Sequence, residues 1–233
     1  MPNWVFNHMR VASKDVHKVF RFNINEQGEA EGVVDFEQAV PMPTSLDIES
    51  GSDNDYQIYF YLSERLALTK EQVAEKVEKI GFGLKVDNIF TNAFSDNWFA
   101  EIAKRAEERA PKISDSEMDI FVKKGETLIF NLINYGVRSW YDWRCIHWGC
   151  KWNACNSEIS VEESDEEDVV VYFETPWGPP TAWCQTLARM GVDFSLDWEE
   201  EQGYRGEIYG CDGEYGEEEL PFREDEFEDE NED

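Results

Sequence analysis

Apolar and polar positions alternate from Asn3 to Ala12 well enough to predict an opening strand. Ser13 to Val16 then reads as a helix N-cap or turn. A second strand is predicted over Ala30–Phe36, with Val33, Val34 and Phe36 as its apolar positions. Pro41 and Pro43 keep the next segment extended, because the residue before a proline is pushed out of the helical region. Residues 44–55 are a polar loop. Tyr56–Leu62 reads as helix. Thr69 caps a clearer helix, with Val73, Ala74, Val77 and Ile80 at helical spacing and Gly81 as its stop. Asp96–Arg109 places Trp98, Phe99, Ile102, Ala103 and Ala106 on one face, and Pro111 ends it. Ser114–Asn134 continues as one long helix or two, with Met118, Phe121, Leu128, Phe130, Leu132 and Ile133.

After Gly136 the period changes. Trp140–Trp148 still suits a helix, with Trp140, Trp143 and His147 on one stripe and Tyr141, Cys145 and Trp148 on another, and Gly149 would end it. Residues 157–163 then alternate, and Asp168–Thr175 is the strongest strand in the chain. A helix is predicted over Thr181–Met190 and ended by Gly191. Val192–Trp198 alternates, with Val192, Phe194, Leu196 and Trp198 on one face, and Tyr204–Cys211 makes a last strand. The order strand, strand, helix, strand, strand implies an antiparallel sheet with a helix on one face.

Charge changes this picture most. The 233 residues hold 51 Asp and Glu against 21 Lys and Arg, for a formal net charge of −30. Residues 212–233 carry −12 of this, which leaves −18 on the body. Such a chain repels nucleic-acid phosphates and anionic membranes, so its natural partners are basic proteins or cations. Aromatic residues make up 14% of the chain, which argues for a packed core rather than a disordered polymer. The tail from residue 212 has too little apolar surface to offset its chain entropy and is expected to be disordered. Its aromatic residues, Tyr215, Phe222 and Phe227, stand among acids, a pattern that docks on basic, apolar-lined grooves.

Five cysteines (145, 150, 155, 184 and 211), an odd number with no CxxC pair, fit a reducing cytoplasm better than a disulfide scaffold. Cys145-x₄-Cys150-x₄-Cys155 misses zinc-ligand spacing, and only His8 and His17 accompany His147, so no metal is expected. Cys145 and His147 stand two apart and point to different sides of a helix, so they make no nucleophile–base pair. Phosphate-binding glycine motifs are missing, and no cofactor is expected.

The densest motif is Trp140-Tyr141-x-Trp143-x₄-Trp148-Gly149-x-Lys151-Trp152-Asn153. With the opening Met1-Pro2-Asn3-Trp4-Val5, the Pro41-Met42-Pro43 segment, Phe173-x-Thr175-Pro176-Trp177-Gly178-Pro179-Pro180 and the strand end at Trp198-Glu199-Glu200-Glu201, it resembles the YubB-type plasmid and phage proteins (Api-like phage proteins). The resemblance is good over roughly residues 136–211 and patchy before them. Cys145, Cys150, Cys155, the acidic tail and the 44–68 insertion depart from it. It implies a ferredoxin-like domain, in the topological sense without any iron–sulfur cluster, and a mobile genetic element as the source. It implies no chemistry, because fold analogy does not carry function. The expected fold is then α+β: residues 1–135, mostly helical after 56, with a small sheet; a ferredoxin-like antiparallel domain over 136–211; and the acidic disordered tail over 212–233. The tryptophan motif reads as a structural seam.

Three functions fit. The first is a non-enzymatic, cytoplasmic phage or plasmid protein that inhibits a basic, nucleic-acid-binding host defence effector, such as a CRISPR effector or a restriction enzyme. It would mimic DNA, with no direct contact to nucleic acid or membrane. The acids expected to carry this are Glu162, Glu163, Asp165, Glu166, Glu167, Asp168, Glu199, Glu200, Glu201, Glu217, Glu218 and Glu219. The second is an accessory interaction module with an aromatic surface. The third is an enzyme with an unrecognised site, which predicts a deep pocket with a His or Cys of shifted pKa.

Overall fold

The computed structural model describes residues 3–24, 30–51, 53–69, 72, 75 and 98–222, of which 24, 30 and 98–101 are described by their backbone alone. The chain forms two compact units, one of residues 1–42 with 144–233 and one of residues 43–143.

The first unit is built on a six-stranded antiparallel sheet. Its strands are β1 (Trp4–Ala12), β4 (Cys155–Ser160), β5 (Asp168–Pro176), β6 (Phe194–Glu200), β7 (Arg205–Cys211) and β8 (Glu214–Leu220), in the order β4-β5-β1-β6-β7-β8. A separate hairpin pairs β2 (Phe20–Ile24) with β3 (Ala30–Val34). β2 is not among the predicted strands, although Phe20, Phe22 and Ile24 alternate; β3 also stops two residues short of Phe36, which opens a 3₁₀ turn. β5 and β6 both run antiparallel to β1, which lies between them, and the helix α5 (Thr181–Arg189) connects them. This is a split β-α-β arrangement, the core of a ferredoxin-like fold.

Alternation decides which side of the sheet is core. On β1 the buried positions are Val5, Asn7, Met9 and Val11. Their cross-strand partners include Phe173, Val171, Phe194 and Leu196, and Leu196 in turn faces Ile208. Helix α5 adds the buried Trp183, Cys184, Leu187 and Ala188. Trp148 is fully buried, lies edge-on to Phe36 at 5.6 Å and donates its Nε1 to Val40 O at 3.0 Å.

Two boundaries move. Placing β1 with the helical region and starting the sheet domain at 136 separates strands that are neighbours, because β1 is central in the sheet. Placing residues 214–220 in a disordered tail is also corrected, because they form β8 against β7. The cause is Asp212-Gly213. Both residues have positive φ, 52° and 83°, as a two-residue type I′ hairpin turn requires, and Asp-Gly is a preferred pair for it. The rest of the tail expectation, 223–233 with Phe227, lies outside the described residues.

The second unit is helical: α1 (Asn54–Phe60) continuing through a π-helical turn at Tyr61–Arg65, α2 (Trp98–Arg109) and α3 (Asp115–Tyr135). The chain leaves it through α4 (Trp140–His147), within which the division between units falls. α3 is one helix. It begins with a capping box between Ser114 and Glu117 and ends at Gly136 in the left-handed region. Its Leu128 and Leu132 share a buried core with Ile58, Leu62, Ile102 and Ala106. Phe130 and Ile133, counted among its apolar residues, are solvent-exposed. At Gly125 α3 meets α1 backbone to backbone; a Cβ there would lie 2.0 Å from Gln57 O. The predicted cap at Thr69 is present, with Thr69 Oγ1 accepting from Gln72 N at 3.3 Å. The rest of that predicted helix, with Val73, Ala74, Val77, Ile80 and Gly81, lies outside the described residues.

Candidate functional site

Alternation that buries one face of the sheet presents the other. The side opposite α5 carries Phe6, Tyr172 and Tyr209, each about half exposed at 49%, 42% and 51%. The cross-strand pairings align this face into rows. One row reads Glu158–Tyr172–His8–Asp197–Glu207–Glu218 across all six strands. The next reads Glu174–Phe6–Glu199–Arg205–Leu220. Adjacent strands are about 4.8 Å apart, so Asp197, Glu207 and Glu218 stand shoulder to shoulder. Like charges directly opposite one another destabilise a sheet. Among the described residues no ion pair reaches Glu207 or Glu218.

At the other end of the row the side chains are linked. His8 Nε2 lies 3.4 Å from Glu163 and Nδ1 3.4 Å from Asp197. The imidazole stacks on Tyr172 at 4.6 Å, and Tyr172 Oη donates to Glu163 at 2.7 Å. Glu163 reaches over the sheet from the turn after β4, which holds its shape because Ser164 Oγ donates to Ser160 O and accepts from Val170 N. Between the two rows the surface sinks into an open groove of about 410 Å³, with Phe6, His8 and Tyr172 on one side and Asp197, Glu199 and Glu207 on the other. Arg205 also lines it, its Nε tied to Pro221 O at 3.0 Å.

The predicted acids divide between regions. Glu163, Glu199 and Glu218 join the open face. Glu217 and Glu219 pair with Ile208 and Gly206 and so stand on the side of α5. Glu200 accepts from Asn3 Nδ2 at 3.1 Å. Glu162, Asp165, Glu166 and Glu167 are exposed in the β4–β5 turn, short of the strand predicted to reach 163, and Asp168 begins β5 beside Arg10 at 3.8 Å. Glu201 is exposed just past β6. Glu158 and Glu207 are each the lone acid of their strand, and Asp197 precedes the acid run at 199–201, so none of the three stands out in the sequence.

The tryptophan motif is structural where its contacts are clear. Trp143 and Trp148 are buried, while Tyr141 is exposed and Trp140 half-buried. Gly149 has φ +88°, and a Cβ on it would lie 2.8 Å from Thr181 N. Asn153 accepts from Phe36 N at 2.8 Å and donates to Asp35 at 2.6 Å. Lys151 covers the Trp152 ring at 4.9 Å, and Trp152 packs against Trp4 at 6.2 Å. Burial pushes the Cys150 and Cys184 thiols up, away from the reactive thiolate. Asp193, Cys211 and Asp212 bring ligand atoms within 4.8 Å of one another on the surface, but Lys14 Nζ already holds Asp193 at 2.9 Å.

The hydrogen bond from Tyr172, then the one from Ser160 and the nearby His8 imidazole, hold the Glu163 carboxyl below its ordinary value. A carboxylate lowered in the folded state adds stability that is present above its unfolded pKa and is lost as pH falls through the lowered value. Carboxyl NMR titration is therefore expected to place Glu163 below an ordinary glutamate, and Tyr172→Phe is expected to move its midpoint upward. An unchanged midpoint in that variant would remove the link between turn and sheet.

Comparison with known proteins bears on the same segment. Residues 156–233 match the family model of the ferredoxin-like domain in Api92-like protein. The matched stretch contains β5, α5, β6, β7 and β8 and most of β4, so the ferredoxin-like domain extends beyond 211 to include the hairpin at Asp212-Gly213. Its central strand, β1, comes from outside the match. A crystal structure of protein api92 from Yersinia pseudotuberculosis aligns over 96% of this chain and 100% of its own, at 11% identity and a TM-score of 0.41. No curated protein matches the chain. Among the described residues no helix is long and apolar enough to cross a membrane.

Proposed function

We propose that this protein acts by binding a basic protein, with the open acidic face of the ferredoxin-like sheet as its contact surface. The observation that carries this is the row of cross-strand acids Asp197, Glu207 and Glu218, kept in register despite their mutual repulsion. Adjacent carboxylates about 4.8 Å apart give a line of charge within roughly threefold of duplex DNA, which has one charge per ~1.7 Å of axis. The partner class that fits is a nucleic-acid-binding enzyme with a positive channel. The resemblance to phage and plasmid proteins supplies the setting, in which an element-encoded inhibitor occupies a CRISPR effector or restriction enzyme of its host in the cytoplasm. For the alternative, an aromatic interface built on the tryptophan motif, Trp143 and Trp148 are buried, and Tyr141 with the half-buried Trp140 and Trp152 would have to carry it.

Capture of partners from a bacterial lysate on the full chain at about 0.1 and 0.5 M salt tests this, because the Debye length shrinks from ~10 Å to a few ångströms over that range. The expected result is a nucleic-acid-binding protein that is released at high salt and displaced by DNA or guide RNA. A salt-resistant partner that DNA does not displace would overturn the reading.

A further inference from the structure

We infer that the groove on the open sheet face is a binding site for an arginine side chain of the partner. This rests on the reading above and names the group that the face recognises. Two features of the groove point to a guanidinium. Its carboxylates, Asp197, Glu199 and Glu207, come from two adjacent strands, with Glu218 beside them on a third. A planar fork with five N–H donors satisfies several such acceptors at once, whereas an ammonium has three donors around one point. Its other wall is aromatic, formed by Phe6, half exposed, and by Tyr172 stacked on His8. A weakly hydrated, delocalised cation stacks on such rings and gains from their negative faces.

The charge balance favours entry. In the groove Asp197 and Glu207 outnumber Arg205. Glu218 and Glu163 stand at its margins. Arg205 donates its Nε to Pro221 O, and among the described residues no ion pair joins it to Glu207. A cation from outside would separate Asp197, Glu207 and Glu218, so the cross-strand repulsion that costs stability in the free protein becomes affinity on binding. The volume, about 410 Å³, accommodates one long side chain with part of its backbone.

The test is fluorescence anisotropy of labelled nona-arginine and nona-lysine peptides with the full chain at about 0.1 M salt. Two double variants lose the same charge on opposite faces: Asp197→Asn with Glu207→Gln on the open face, and Glu217→Gln with Glu219→Gln on the side of α5. Nona-arginine is expected to bind tighter than nona-lysine. The open-face pair is expected to weaken nona-arginine about tenfold, the scale of a charge-assisted hydrogen bond, and the opposite pair about twofold or less. Glu207→Gln alone removes repulsion and is expected to fold as the parent does, with part of the same loss. Equal affinity for the two peptides, or equal losses from the two faces, would overturn the arginine site while salt-sensitive capture from lysate still stood. No binding of either peptide, together with salt-resistant capture, would overturn both readings.

Discussion

Replacing Gly125 by valine is expected to destabilise the protein by about 3 kcal/mol, at the upper end of overpacking substitutions. The added Cβ would fall 2.0 Å from Gln57 O, 2.6 Å from its carbonyl carbon and 2.8 Å from the Tyr61 Cβ. The first two are backbone atoms of α1, which cannot turn aside as a side chain can. Relief requires α1 and α3 to separate, and that loosens the contacts of Ile58 and Leu62 with Leu128 and Leu132. Alanine is the sharper test because it sets two effects against each other. In an unobstructed helix, glycine to alanine gains about 1 kcal/mol. Here the clash should exceed that gain, so Gly125→Ala is expected to lower the urea midpoint. A raised midpoint would show that the two helices do not meet as closely as described.

The second large effect is expected at Trp148. Truncation to alanine should cost about 3–5 kcal/mol, the range for a buried aromatic. The indole is fully buried, lies edge-on to Phe36 and has the Arg144 guanidinium 4.9 Å from its ring. Its Nε1 donates to Val40 O, which anchors the extended segment before Pro41. Removing it leaves both a cavity and an unpaired carbonyl, and the second adds to the first. At 2–4 °C per kcal/mol for a chain of this size, the melting temperature should fall by roughly 6–20 °C. Trp148→Phe keeps most of the volume and loses the hydrogen bond, so it should lie between parent and alanine. A change below about 1 kcal/mol for the alanine variant would mean that the motif is not part of the core, and would reopen an aromatic contact surface.

Much of the fold is legible in the chain because its causes are local. The β-branched and aromatic run in Asp168–Thr175, the capping box at Ser114 and Glu117, and the glycine at 136 each act within a few residues of where they are read. Asp212-Gly213 is equally local, yet the acids around it dominate the composition and conceal the turn. β1 is legible as a strand, but its place is not. Its partners, β5 and β6, lie more than 150 residues away, and no local pattern records which strands it joins. The candidate site divides in the same way. The acid runs at 162–168 and 199–201 stand out in sequence, whereas Asp197, Glu207 and Glu218 are aligned only by the pairing of three strands. Glu217 and Glu218 differ by one position in sequence and by a whole face in the sheet.

The central place of β1 also sets the order of events when the chain is made. Asn7 pairs with Trp198, so the middle of the sheet stays incomplete until residues near 198 have left the ribosome. At about 5–20 residues per second, the first strand waits roughly 10–40 s with both edges unpaired. For that interval Val5, Met9 and Val11 have no core to enter. The nascent chain is thus a long-lived client for whatever holds unfolded segments apart, and production in the cell should depend more on chaperone supply than the stability of the finished protein would suggest.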